Sequence, residues 1–248
     1  MAIIKISVIN ETTVLKDHDI VPVVKALQVQ VHRDFAPHWG IDADIVYVPS
    51  GHKADPNTWW LVLLDDSDQQ GALGYHDLTP TGLPMGKVFV KTDLKYKLAW
   101  SVTMSHEILE MIADPDVDLT VFNQTSNTSG YLYAFEMCDP VEDDSFGYAI
   151  GSVKVSNFVL PSYFQPGIPG HKWDFLGKLP GPVPAMLTGG YLSQFPVNQP
   201  NDNSGWSQIT AELVNEATHS RTKGSGGGMR KVKRANKDTI RKSHDSLL

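Results

Sequence analysis

Apolar and polar positions alternate from Ile3 to Ile9, and the β-branched content of that run predicts a first strand. Residues 20–35 then carry Val23, Val24, Leu27, Val31 and Phe35 at the spacing of one helical face, so an amphipathic helix follows. Segments 43–48 (ADIVYV) and 59–64 (WWLVLL) predict two more strands, the second apolar enough to be buried on both faces. Short strands are expected at 71–76 and 87–90, parted by a loop rich in Pro and Gly. A helix is expected over 98–112; Pro115 stops it by disfavouring helical geometry at Asp114.

After that helix the texture changes. Residues 131–138 read as a strand, 148–155 as a hairpin, and 161–205 as largely irregular, with much Pro, Gly and Asn. Ile209, Leu213 and Ala217 suggest a last helix over 206–217. Residues 224–228 (GSGGG) have the composition of a flexible linker. The expected class is α+β: a mixed sheet with a helix that carries the chemistry in 1–145, an irregular β-rich extension in 146–220, and a linker with a basic tail in 221–248.

Charge sharpens that division. The 248 residues carry a formal charge of -7, but 221–248 hold nine Lys or Arg against two Asp, a net +7, which leaves -14 on residues 1–220. An acidic body with a basic arm suggests separate tasks, and residues 229–248 are the expected contact for a nucleic acid or an acidic protein partner. An acidic body argues against a dedicated nucleic-acid-binding fold. One Cys excludes a disulfide framework and Cys-rich zinc modules. No apolar run approaches the roughly 18 residues of a membrane span, and no secretory leader is expected at the start.

The chemistry concentrates in Ser105-His106-Glu107-Ile108-Leu109-Glu110. Residues four apart share a helical face, so His106 and Glu110 can offer a nitrogen and a carboxylate oxygen to one ion. Glu107, displaced by about 100° around the axis, would stand beside that ion, where a general base takes a proton from metal-bound water. The chain has seven Glu, and four of them (107, 110, 136, 142) fall within 36 residues, which favours a site over a solvated helix face. Asp114 would lie about 12 Å along the axis from His106, too far for the same ion, so its task is local. A third ligand is expected from Glu136 or Asp139 in 135–140 (FEMCDP), with His76 a further candidate. Donors this hard point to zinc, with manganese, iron or calcium as alternatives. Asp114, Asp116 and Asp118 open like a calcium loop, but Leu119 and Thr125 stand where Gly and Glu are required, so an acidic turn is expected. Acidic neighbours make Cys138 a poor nucleophile.

The order strand, helix, run of strands, helix, together with H-E-x-x-E on the last helix, resembles the zincin metallopeptidase superfamily. The resemblance implies that His106 and Glu110 are ligands and Glu107 the base, with Glu110 standing where most zincins have His. It also implies that residues 71–76 form an antiparallel edge strand along the cleft, so that Gly74, Tyr75 and His76 contact an extended peptide substrate. A wider set, Asp114-Pro115, Glu136, Cys138-Asp139-Pro140-Val141-Glu142, Val155-Ser156-Asn157-Phe158 and Gly189-Gly190-Tyr191, resembles a group of bacterial and phage proteins over about residues 1–195. The expected activity is metal-dependent peptide hydrolysis. The alternative is a silent zincin scaffold, for example a phage-particle component whose tail contacts nucleic acid or a neighbouring subunit. The expected location is the cytoplasm or a virion.

Overall fold

The computed structural model describes residues 3–69, 71–165, 172–198 and 205–211. The linker and basic tail expected in 221–248 lie outside the described residues. Those described form two compact units, one of 3–117 with 149–155, the other of 118–148 with 156–165, 172–198 and 205–211.

The first unit is built on a five-stranded sheet of β1 (Ile4–Asn10), β2 (Ala43–Val48), β3 (Trp59–Leu64), β4 (Gly74–Leu78) and β5 (Pro84–Phe89). The order is β2-β1-β3-β5-β4; every pairing is parallel except that of β4, the antiparallel edge strand. The two short strands sit later or earlier than expected, at 74–78 and 84–89 instead of 71–76 and 87–90, because β4 and β5 pair with each other from Gly74↔Val88 to Leu78↔Pro84. Strand β3 is buried through Leu61 and Leu63, while Trp59, Trp60, Val62 and Leu64 are half-buried, so it is not sealed on both faces as its apolar run suggested.

The helix expected over 20–35 begins earlier and changes register. Helix α1 (Asp17–Val29) passes into a π-helical segment (Gln30–Phe35) and then α2 (Ala36–Trp39). Gln30 and Asp34 lie inside together with Val31 and Phe35, on the face that continues from Leu27; their polar character, not their spacing, keeps them out of a hydropathy pattern. Gln28 accepts from Ile45 N at 2.6 Å and donates to Ala43 O at 2.9 Å, covering the free edge of β2. Helix α3 (Val90–Lys95) leads to α4 (Trp100–Ala113), which matches the helix expected over 98–112 within two residues. Residues 101–113 are buried throughout, so α4 is a core helix and not a half-solvated one.

Asp65 ties the end of β1 to the start of α3. It accepts from Thr12 Oγ1 (2.5 Å), from Thr13 N (2.8 Å) and Oγ1 (2.6 Å), and pairs with Lys91 Nζ at 2.9 Å. The Thr12 and Thr13 hydrogen bonds hold its carboxyl well below the usual carboxylate range. A depressed folded pKa gives stability that is present above the unfolded value of about 3.9 and is lost as pH falls toward the folded one. Asp65→Asn is therefore expected to lower the urea midpoint at pH 7, with the gap to wild type closing below about pH 4. A gap that stays constant down to pH 3 would contradict this.

The second unit holds a four-stranded antiparallel sheet of β6 (Thr120–Gln124), β7 (Gly130–Ala134), β10 (Tyr191–Val197) and β11 (Ser207–Thr210), in the order β11-β10-β7-β6. The hairpin expected over 148–155 is present as β8 (Tyr148–Ile150) and β9 (Val153–Val155), and from Ala149 on it belongs to the first unit. Strand β7 ends at Ala134; residues 135–138 are not a strand, and a 3-10 turn (Asp139–Val141) follows. The helix expected over 206–217 is overturned for 207–210, where pairing with Tyr191–Gln194 overrides local helical spacing; 212–217 lie outside the described residues. Strand β6 occupies 120–124, so the calcium-loop pattern over 114–125 is broken by a paired strand.

Candidate metal centre

Helix α4 is fixed in rotation about its axis by three side-chain hydroxyls. Ser101 Oγ donates to Lys154 O (2.7 Å), Thr103 Oγ1 to Asp93 Oδ1 (2.8 Å), and Ser105 Oγ to Gln30 Oε1 (2.7 Å). Ser105 adjoins His106, so Gln30, the first residue of the π segment, holds the residue next to the first ligand candidate. No sequence signal marks Gln30.

One turn apart on α4, His106 Nε2 and Glu110 Oε2 are 3.0 Å from each other. The same Glu110 oxygen is 3.8 Å from Nδ1 of His76 on β4, and Glu107 Oε2 is 3.7 Å from that nitrogen. All four side chains are fully buried. Two donors each bound at about 2.0–2.1 Å to a tetrahedral zinc ion are about 3.3–3.4 Å apart, so separations of 3.0 and 3.8 Å need only small shifts to accept an ion. Two carboxylates beside two imidazoles at full burial form a group whose charge a divalent metal would compensate.

Glu107 is accommodated by the sheet beneath it. A Cβ on Gly74 would lie 2.6 Å from Glu107 Oε1 and 2.9 Å from the Lys87 carbonyl oxygen. Gly86 stands opposite His76 in the register, and a Cβ there would lie 2.6 Å from Leu61 Cδ1 and 3.7 Å from Glu107 Cβ. Two glycines on adjacent strands thus clear the space the base candidate occupies. Gly74→Ala is expected to destabilise the fold by about 1–3 kcal/mol, read as a lower urea midpoint, since the backbone oxygen of the paired strand cannot give way. An unchanged midpoint would contradict the close fit.

The residues expected to contact substrate separate across β4. Gly74 and His76 face α4, whereas alternation turns Tyr75 to the other side, where its hydroxyl donates to Asp68 Oδ2 (2.9 Å) and Lys87 Nζ pairs with the same oxygen at 2.6 Å. Burial, then the Asp68 charge, pushes the Tyr75 phenol far up. His76, read from the sequence both as a further ligand candidate and as a substrate contact, lies beside Glu110 and Glu107. Asp114 is the C-cap of α4, its backbone N donating to Glu110 O (2.8 Å).

Glu136 and Asp139 belong to the second unit. Both are buried, as are Cys138 and Glu142, and an oxygen of Asp139 lies within 4.8 Å of one of Glu142. Around them the motif residues have structural tasks. A side chain at Gly190 would collide with the Pro140 carbonyl oxygen, while Gly189 has φ +85 beside Asp143. Asn157 Nδ2 donates to Asp174 Oδ2 (2.7 Å), and Asp174 Oδ1 accepts from Lys178 N (2.7 Å) and Leu179 N (2.8 Å). Among the described residues, no helix is long and apolar enough to cross a membrane. No family model, curated protein or solved structure matches the chain, and its function is argued from the geometry above.

Proposed function

We propose that the first unit is a metal-dependent hydrolase acting on peptide bonds, with His106, Glu110 and His76 as metal ligands and Glu107 as general base. A bound divalent ion would acidify a water and polarise the scissile carbonyl. His106 and Glu110 present their donor atoms from one face of a helix held against rotation, and His76 presents a third from the edge strand. Glu107 holds the proton taken from water and returns it to the leaving amine. Strand β4 is the antiparallel edge strand of the sheet, the position at which an extended peptide would add as a further strand.

The observation that carries this reading is Glu107 itself. Its carboxylate is fully buried and accepts no hydrogen bond among the described residues, yet two glycines make room for it next to a ligand candidate. A buried carboxylate without a donor weakens a fold, and such groups concentrate where chemistry needs them. Full burial of the cluster favours a second reading, a closed site in which the metal stabilises a scaffold without turnover. Cleavage of unfolded casein by zinc-loaded protein, compared with Glu107→Gln, separates the two: cleavage lost in the variant supports the hydrolase, and absence of cleavage in wild type with metal bound supports the scaffold. Metal analysis of Glu136→Gln and Asp139→Asn decides whether a carboxylate expected from the sequence also serves the ion.

A further inference from the structure

The exposed face of the four-stranded sheet in the second unit is unlike an ordinary solvated one. Phe122 on β6, Leu132 on β7 and Phe195 on β10 stand opposite one another in register, so their side chains share a face. Trp206, just before β11, extends the row, its ring centroid 5.8 Å from that of Phe195. Phe122 is 49% and Trp206 44% exposed, while Tyr133 and Leu192 on the reverse face are buried. The four strands, TVFNQ, GYLYA, YLSQFPV and SQIT, contain no charged residue. Solvent-facing strands, above all edge strands such as β6 and β11, ordinarily carry charge to prevent pairing with other chains. The polar groups around this row are instead hydroxyls and amides, with Thr120, Gln124 and Gln208 exposed.

The position of one ring adds a second observation. A Cβ on Gly130 would come within 2.6 Å of Phe122 Cε2 and 2.7 Å of Cζ. The Phe122 ring therefore lies over the bare backbone of β7 at Gly130 while staying half-exposed.

We propose that this face binds a neutral carbohydrate chain. A sugar ring has apolar C–H faces and a rim of hydroxyls. The faces stack on aromatic rings and leave water, while the rim pairs with amides and hydroxyls that both donate and accept. At a strand spacing of about 4.8 Å, a row across four strands spans about 14 Å, the footprint of a short oligosaccharide. The absence of Lys and Arg disfavours a phosphate or sulfate polymer, and the absence of Asp and Glu a basic peptide. A second copy of the chain is poorly served: two half-exposed aromatics offer roughly 200 Å2 of apolar area, against about 800 Å2 per partner in a stable interface. The proposal is independent of the metal centre.

The test applies the full chain to a printed array of neutral oligosaccharides and to native gels cast with hydroxyethyl cellulose, galactomannan or heparin. Binding to at least one neutral glycan is expected, weakened about tenfold or more in Trp206→Ala and in Phe122→Ala. Trp206→Phe, which keeps an aromatic platform, should retain most of the affinity, and unchanged far-UV dichroism and metal content should show the variants folded. Absence of binding to every neutral glycan overturns the proposal. Retardation by heparin alone also overturns it, as does a dimer in sedimentation that Trp206→Ala dissociates.

Discussion

Glu107→Gln is expected to lower peptide hydrolysis by about 10^2–10^4-fold while leaving the bound metal unchanged and the fold more stable. The activity loss follows from replacing the proton acceptor beside the ligand pair by an isosteric amide that cannot take a proton. The stability gain follows from burial: the wild-type carboxylate lies fully inside with no hydrogen-bond donor among the described residues, and a neutral amide of the same shape avoids that desolvation cost. A gain of about 1 kcal/mol would raise Tm by roughly 2–4 °C in a chain of this size. Opposite movement of activity and Tm marks a functional group held at the expense of stability. If Glu107→Gln instead unfolds the protein with its metal lost, Glu107 serves as a ligand or a structural acceptor, and its role as base is refuted.

Removal of the metal is expected to have the largest effect on stability. With free metal about 1,000-fold above Kd, binding to the folded state contributes about 4.1 kcal/mol, which corresponds to a fall in Tm of roughly 8–16 °C on chelation. The effect would arise because Glu110 is buried beside His76 and His106, and a bound ion would offset its charge. The ligands must be deprotonated to bind, so the gap between metal-loaded and chelated protein should narrow as pH falls. Scanning calorimetry of zinc-loaded protein with and without a chelator measures it. Equal Tm values at pH 7 would mean that the buried cluster holds itself together by protonation and hydrogen bonding alone.

What could be read from the chain followed local periodicity. The helix bearing His106, Glu107 and Glu110 was predictable because its four-residue spacing and Pro115 are local signals. The strands of the first sheet were predictable too, though β4 and β5 were displaced by a mutual pairing that no local window contains. His76 illustrates the limit: the sequence offers it only as a further candidate behind Glu136 and Asp139, and antiparallel pairing at the sheet edge is what brings it to Glu110. Gln30 lies three residues after Leu27 on the buried helix face, where a hydropathy pattern passes over a polar residue. Ile209, Leu213 and Ala217 have helical spacing, yet 207–210 form strand β11 because its pairing partner lies at 191–194, beyond any local window. The stripe of Phe122, Leu132, Phe195 and Trp206 is scattered over three parts of the sequence and becomes a row only through the register of the sheet.

The most direct measurement of the central claim is the metal content of purified full-length protein and its single variants by elemental analysis. The account predicts about one transition-metal ion per chain in wild type and in Glu107→Gln, near-complete loss in His106→Ala and Glu110→Ala, and a marked reduction in His76→Ala. A wild-type protein that takes up no metal after reconstitution, or one whose metal content is the same in all three ligand variants, would contradict it.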